Sequence, residues 1–282
     1  MKREEGFIQT RGGKVWYEIV GDKNKTPLIV LHGGPGYPHD SLAPLENLAN
    51  ERKVIFYDQL GCGNSQKSDR SFWTVEYFVE ELGEVVKSLR LKNFHLFGHS
   101  WGAGLAVAFA LTKPKGLKSL ILSDPYISTP HWEKSVARLL KELPKNMQDA
   151  LKSEDFDSKE YKKASDEFYY RFLYRQKNLS VASLKAEFKM NIELYNYMWG
   201  PSEFNASGTL KKFDLSPRLS EIKAPVLLLC GRFDEATPES TEQFKNLLPN
   251  ARIKVFEKSA HMPHWTEQKE YLATISKFLS ST

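Results

Sequence analysis

Six short apolar runs punctuate the chain: Leu28–Leu31, Val54–Asp58, Phe94–Phe97, Leu117–Leu122, Pro225–Cys230 and Arg252–Glu257. Each has the length of a buried strand, and longer helical stretches separate them. A continuous apolar run has no wet face, so such strands are covered on both sides, the condition of a parallel sheet built from βαβ units. The clearest covering helix is Val75–Leu89, where Val75, Phe78, Val79, Leu82, Val86 and Leu89 form one stripe. Thr74 suits its N-cap, and Lys87 and Arg90 suit the negative end of its dipole. Ahead of the first run, Phe7–Thr10 and Lys14–Val20 flank Arg11-Gly12-Gly13 and predict a hairpin.

The alternation stops at Asp124-Pro125 and resumes near Lys223-Ala224-Pro225. The stretch between is helical in pattern, rich in Lys and Glu, and dense in aromatics (Phe168, Tyr169, Tyr170, Phe172, Tyr174, Tyr195, Tyr197, Trp199). We expect residues 125–217 to form a helical cap inserted late in a sheet domain made of residues 1–124 and 218–282. A cap at that point covers the carboxyl ends of the strands, where open α/β sheets bind ligands.

Several function classes are excluded at this stage. The 40 Lys and Arg against 35 Asp and Glu leave a charge of only +5, with no face-length basic run for nucleic acid. No run approaches the ~20 apolar residues of a membrane span. The opening MKREEGFIQT has no apolar stretch of a signal peptide, so the cytoplasm is the expected compartment. Cys62 and Cys230 stand far apart and predict no disulfide framework. No ligand cluster has metal spacing, so no metal or organic cofactor is expected.

The chemistry is carried by Phe94–Gly104, in which a strand runs into Gly98-His99-Ser100-Trp101-Gly102 and then into an Ala-rich helix. A G-x-S-x-G pentad between strand and helix is a nucleophile elbow, the hallmark of the α/β-hydrolase fold. The turn is sharp, so a Cβ at position 98 or 102 would collide across it. Ser100 is then held above the sheet at a helix start, where the dipole favours developing negative charge.

A serine hydroxyl needs a base, and the base needs an orienting acid, in the chain order Ser, acid, His for this fold. His261 and His264 alone follow both Ser100 and the later strands. We take His261, in the loop after Arg252–Glu257, over His264, which suits a helix start. Asp234, in Gly231-Arg-Phe-Asp-Glu, is taken as the acid over Asp124, which ends an earlier strand. His95 and His99 read as packed or hydrogen-bonded histidines. The oxyanion donors come from the residue after the nucleophile, Trp101, and from the loop His32-Gly33-Gly34-Pro35-Gly36, where Gly34 is the choice and Pro35 has no N–H to give.

With His32-Gly-Gly-Pro-Gly36, Asp58-Gln-Leu-Gly-Cys-Gly-Asn-Ser65 and Gly98-His-Ser-Trp-Gly102 in place, the chain resembles the proline iminopeptidase family from end to end. Met198-Trp-Gly-Pro-Ser-Glu-Phe204 is similar to the cap signature of its tricorn-interacting aminopeptidases. The resemblance implies a serine aminopeptidase that releases N-terminal residues, proline preferred, from short peptides through an acyl-enzyme. It also implies that Glu203 and Glu235 grip the substrate's free α-amino group, and it suggests a functional link to a larger peptide-producing protease. Leu60 stands where many bacterial members have Arg, which implies broader cleavage. Asp58 reads as structural, bonding its own turn. Two rivals share the scaffold: an esterase or lactonase with the same triad but no amine-binding carboxylates, and a non-catalytic binding protein.

Overall fold

The structure, a computed structural model, describes residues 1–176, 178 and 180–282. Eight strands form one sheet: β1 (Arg3–Gln9), β2 (Lys14–Val20), β3 (Leu28–Leu31), β4 (Val54–Tyr57), β5 (Phe94–His99), β6 (Leu117–Ser123), β7 (Val226–Gly231) and β8 (Ala251–Phe256). Their order is β1-β2-β4-β3-β5-β6-β7-β8. The β1–β2 hairpin and the β2–β4 pair are antiparallel, and every later pair is parallel. Along β3 the side chains alternate between two cores: Ile29 and Leu31 pack on one face, Leu28 and Val30 on the other. Both faces are dry, as the continuous apolar runs require.

Helices α1 (Val75–Ser88) and α2 (Trp101–Ala110) contribute Phe78, Leu82 and Leu105 to the first core. The 3₁₀ segment His39–Asn50 and helix α10 (Gln268–Ser280) contribute Leu42, Leu45, Tyr271 and Ile275 to the second. Thr74 caps α1 by accepting the Tyr77 N–H at 3.1 Å. Helix α8 (Pro238–Leu247) follows β7, and the short α9 (Pro263–Thr266) precedes α10 and contains His264 near its start.

Five helices fall between β6 and β7: α3 (Thr129–Leu140), α4 (Lys145–Lys152), α5 (Lys159–Tyr169), α6 (Val181–Lys189) and α7 (Ile192–Met198). The two ends of this insertion meet, with Thr129 N–H on Phe213 O at 2.8 Å and Leu215 N–H on Ile127 O at 3.1 Å. It is tied to the sheet domain by Asn191, whose N–H reaches Gly36 O at 3.0 Å and whose Nδ2 reaches Gly61 O at 2.7 Å. No described helix is long and apolar enough to cross a membrane.

Two strands run longer than their apolar cores. β1 begins at Arg3, because its exposed Arg3–Glu5 segment pairs with Glu18–Val20. β5 continues through the pentad's first two residues, since Gly98 and His99 still pair with Leu122 and Ser123 of β6.

β3 lies between β4 and β5, so the chain leaves it to one side and returns on the other. That is a topological switch point, where a crevice opens at the carboxyl ends of the strands. Leu31 pairs with Gly98 and Gly98 with Leu122, so the loops after β3, β5 and β6 emerge at one level.

Candidate active site

Ser100 stands between β5 and α2 with φ 54° and ψ −119°. A non-glycine residue in that region is strained, and its surroundings must hold it there. A Cβ on Gly98 would lie 2.2 Å from Gly102 O, and one on Gly102 would lie 2.3 Å from Leu31 O. Only hydrogen at both places lets the elbow close. The Ser100 N–H is fixed to Ser123 O at 2.9 Å.

His261 lies in the loop between β8 and α9. Its Nδ1 donates to Asp234 Oδ1 at 2.7 Å, which leaves Nε2 as the nitrogen free to accept a proton. The same Asp234 oxygen accepts the Ala236 N–H at 2.9 Å. Burial pushes the Asp234 carboxyl up, but His261 outweighs it and holds the group below the usual carboxylate range. The histidine loop is held from two sides: its N–H donates to Leu173 O of the insertion at 3.1 Å, and His99 Nε2 donates to its carbonyl at 2.9 Å. Burial, reinforced by His261, pushes His99 down to about 3, so that ring is neutral. His264 packs edge-on against His99 with centroids 5.0 Å apart and does not face the cavity described next.

A cavity of about 220 Å³ brings together Gly34, Ser100, Glu203, Glu235 and His261, with Tyr37, Tyr169, Leu173, Tyr174 and Met190 on its walls. A narrower pocket opens beside Ser100, walled by Tyr126, Trp132, Tyr195, Trp199 and Leu210, and Gly34 and Glu203 line both spaces. Gly34 adopts φ 105°, and a Cβ there would lie 2.5 Å from Gly36 N, so glycine is required. Trp101 is the first residue of α2, where a backbone N–H has no intrahelical acceptor. Gln59 links the His32 ring to the Trp101 indole. Its N–H bonds Nε2 of the buried His32 at 2.9 Å, and its Oε1 accepts Trp101 Nε1–H at 2.8 Å.

Glu235, next to Asp234, is buried, and Glu203, from the insertion, is half-buried. Tyr195 donates its hydroxyl to Glu203. Burial pushes the Glu203 carboxyl up, with Tyr195 and His261 opposing. Burial pushes Glu235 well above the usual range, and repulsion from Glu203 and Asp234 adds to it. Glu235 Oε2 has no hydrogen-bond partner among the described residues. Two crowded carboxyls facing a cavity can hold one cation, because a bound ammonium relieves their repulsion.

The expected residues Ser100, His261, Gly34, Glu203 and Glu235 thus share one space, with Asp234 behind the histidine and Trp101 beneath the serine. Asp58 does bond its own turn, accepting the Asn64 N–H at 2.8 Å, and it also accepts from His39 Nδ1 at 2.7 Å. His95 bonds Ser119 Oγ at 2.7 Å, far from the chemistry. Sequence reasoning missed Gln59, His32, Tyr195, Trp132 and Leu173. Tyr195, Trp132 and Leu173 lie in an insertion whose packing has no local signature. His32 and Gln59 carry a signal, since both stand inside the two Gly-rich motifs.

A family model described as alpha/beta hydrolase fold matches residues 26–268. The chain is 46% identical to a proline iminopeptidase of Heyndrickxia coagulans, covering 98% of this chain and 99% of that protein. It is 38% identical to a proline iminopeptidase of Clostridium botulinum, with 99% of each chain covered. Among solved structures it superposes on a proline iminopeptidase of Mycobacterium smegmatis with a TM-score of 0.93 at 32% identity, covering 99% of this chain and 98% of that one.

Proposed function

The chain belongs to the proline iminopeptidase family of α/β-hydrolase-fold enzymes, and on that premise we propose how this serine aminopeptidase works. It releases N-terminal residues, proline by preference, from short peptides. The observation that carries the reading is the pair Glu203 and Glu235, which line the same cavity as Ser100 and His261.

The substrate's α-ammonium sits between Glu203 and Glu235, and the first residue's side chain enters the narrow aromatic pocket that Glu203 also lines. The three ring methylenes of proline are compact and apolar, which suits walls of Trp132, Trp199 and Tyr126. Ser100 Oγ attacks the first peptide carbonyl while His261 Nε2 takes its proton, and Asp234 stabilises the resulting imidazolium. The Gly34 and Trp101 N–H groups receive the oxyanion, a contribution of about 2.7–4 kcal/mol for a donor of this kind. His261 then protonates the departing amine, and water releases the acyl group by the same steps. The helical cap, residues 125–217, closes the far end of the site, so chains with a buried or folded N-terminus are excluded. Short peptides from a larger protease are the matching supply.

The test compares kcat/KM for a prolyl arylamide with a free amine against its N-acetyl form. A neutral acetamide leaves two desolvated carboxyls unmatched, at a cost of about 2–5 kcal/mol, or roughly 30- to 4000-fold. Glu203→Gln and Glu235→Gln should each shrink that ratio. Equal rates on both substrates in the wild type would replace the aminopeptidase reading with the esterase. Undiminished discrimination in both variants would remove these two residues from the amine site.

A further inference from the structure

Asp124 directly follows β6 at φ 51°, buried behind the candidate triad, and nothing in the mechanism above uses it. One oxygen from Asp124, one from Asp234 and one nitrogen of His261 all lie within 4.8 Å of one another. The two carboxyls therefore approach to within 4.8 Å with no charged side chain between them to separate them. Each also has an oxygen, Asp124 Oδ1 and Asp234 Oδ2, that is buried with no other partner among the described residues. Two ionised carboxylates cannot bond each other, and a buried orphan acceptor is costly. One proton between them removes both problems.

We propose that Asp124 is a positioning residue: its carboxyl keeps a proton at neutral pH and donates it to Asp234, so that the triad acid is one half of a closed carboxyl pair. The inference rests on the reading of Asp234 as the acid. The groups around the pair support it. From β5, His99 Nε2 stands 3.6 Å from Asp124 Oδ2, but it is neutral and gives its N–H to His261 O. From β6, Ser123 Oγ donates to Asp124 Oδ2 at 2.5 Å, and Tyr271 of α10 donates to that same Ser123 hydroxyl at 2.8 Å. From β7 comes the buried Cys230, and from α9 the buried His264, neither of them a cation at neutral pH. Glu235 adds only further repulsion toward Asp234. Among the described residues, no Lys or Arg pairs with either aspartate.

The proton belongs on Asp124 because the donors are unequal. Asp234 receives two N–H groups, from His261 and Ala236, and one of those comes from the ring that becomes positive during turnover. Asp124 has burial and Asp234 pushing its carboxyl well up, with a hydroxyl and a backbone donor opposing. The consequence is functional. A donated hydrogen bond fixes the Asp234 carboxylate toward His261 and spreads its charge, so the imidazole stays neutral enough to accept the serine proton.

The experiment sets Asp124→Asn against Asp124→Ala, reading kcat/KM from pH 5 to 9. An amide still donates to Asp234, so Asp124→Asn should stay within about threefold of the wild type with the rising limb unmoved. The alanine variant should lose roughly tenfold and shift that limb upward by about half a unit, because Asp234 has lost its donor. A downward shift of about one unit in Asp124→Asn would mean that an ionised Asp124 had been removed, and would overturn the proposal. So would wild-type behaviour of the alanine variant, or a loss of its activity with the limb unmoved, which is a structural effect alone. A readout independent of folding uses the wild type labelled with ¹³C at the aspartate carboxyls, which separates them from every Glu. Its infrared spectrum at pH 7 should contain one protonated aspartate, and finding none overturns the inference. Asp234→Asn is assayed alongside. If that variant stays active while Asp124→Asn is dead, the choice of Asp234 as acid has failed, rather than the pairing.

Discussion

Asp234 and Glu235 are neighbours in the chain and equally buried, yet each faces a different second carboxyl. Asp234 and Asp124 lie within 4.8 Å of each other, both fully buried. Glu235 meets Glu203 across a cavity of about 220 Å³. The physics of crowding is the same in both, since burial and a like charge raise the cost of ionising two groups together. What differs is the means of relief. In the closed pair we assign it to an internal proton, and in the open pair to the ammonium of the substrate. On that assignment, one motif of two residues serves chemistry on one side and recognition on the other.

The largest effects should fall on the side of the chemistry. Ser100→Ala is expected to lower kcat by about 10⁶-fold while leaving the thermal unfolding transition cooperative. More than a few per cent of the wild-type rate, in a preparation free of contaminating hydrolase, would place the nucleophile elsewhere. Asp234→Asn should lose about 10⁴-fold, because an amide can present its N–H to His261 and stabilise the wrong tautomer. The recognition carboxyls come next, with losses of roughly 30- to 4000-fold confined to substrates with a free amine. A loss of equal size on N-acetyl substrates would erase the distinction between the two pairs. The two Asp124 variants should lie lowest in this series, at about tenfold or less, if a neutral donor is all that position supplies.

The same division describes what the sequence disclosed. Ser100, Gly98 and Gly102 were readable because an elbow is local: both glycines meet backbone atoms less than 2.5 Å from a built Cβ. The sheet was readable for the same reason, since its inner strands β3, β4, β5 and β7 are buried throughout, and the misses lie at polar ends such as Arg3–Glu5 that only pairing orders. Chain order pointed to Asp234 and His261, whose side chains do meet at 2.7 Å. It also set Asp124 and Asp234 against each other as alternatives, whereas the fold brings them within 4.8 Å of each other. Glu203 was reachable only through family resemblance. Its partner Tyr195 and the Leu173 carbonyl that holds His261 depend on how the insertion packs, and no period or spacing encodes that.

A third buried carboxyl separates burial from pairing. Glu81 of α1 has no second carboxylate in contact: Oε2 accepts the Leu60 N–H at 3.1 Å, while Oε1 is buried without a hydrogen-bond partner among the described residues. Burial pushes it from 4.5 up to about 8, opposed by Leu60 and Tyr77, with the charge of Glu84 as the smallest contribution. The folded state therefore holds a proton that the unfolded chain releases near pH 4.5, so between 4.5 and about 8 unfolding releases it. The sign follows: this group's contribution to stability is complete below pH 4.5, declines as pH rises, and is gone once the folded carboxyl ionises above about 8. At about 1.36 kcal/mol per pH unit the full effect is roughly 5 kcal/mol. Glu81→Gln keeps an acceptor for Leu60 and cannot ionise, so its Tm should fall much less than the wild type's between pH 6 and 9. Parallel declines in the two proteins would mean that Glu81 ionises in the fold at little cost. Burial alone would then be too weak to protonate a carboxyl in this protein, and the proton assigned to Asp124 would have to come entirely from its contact with Asp234.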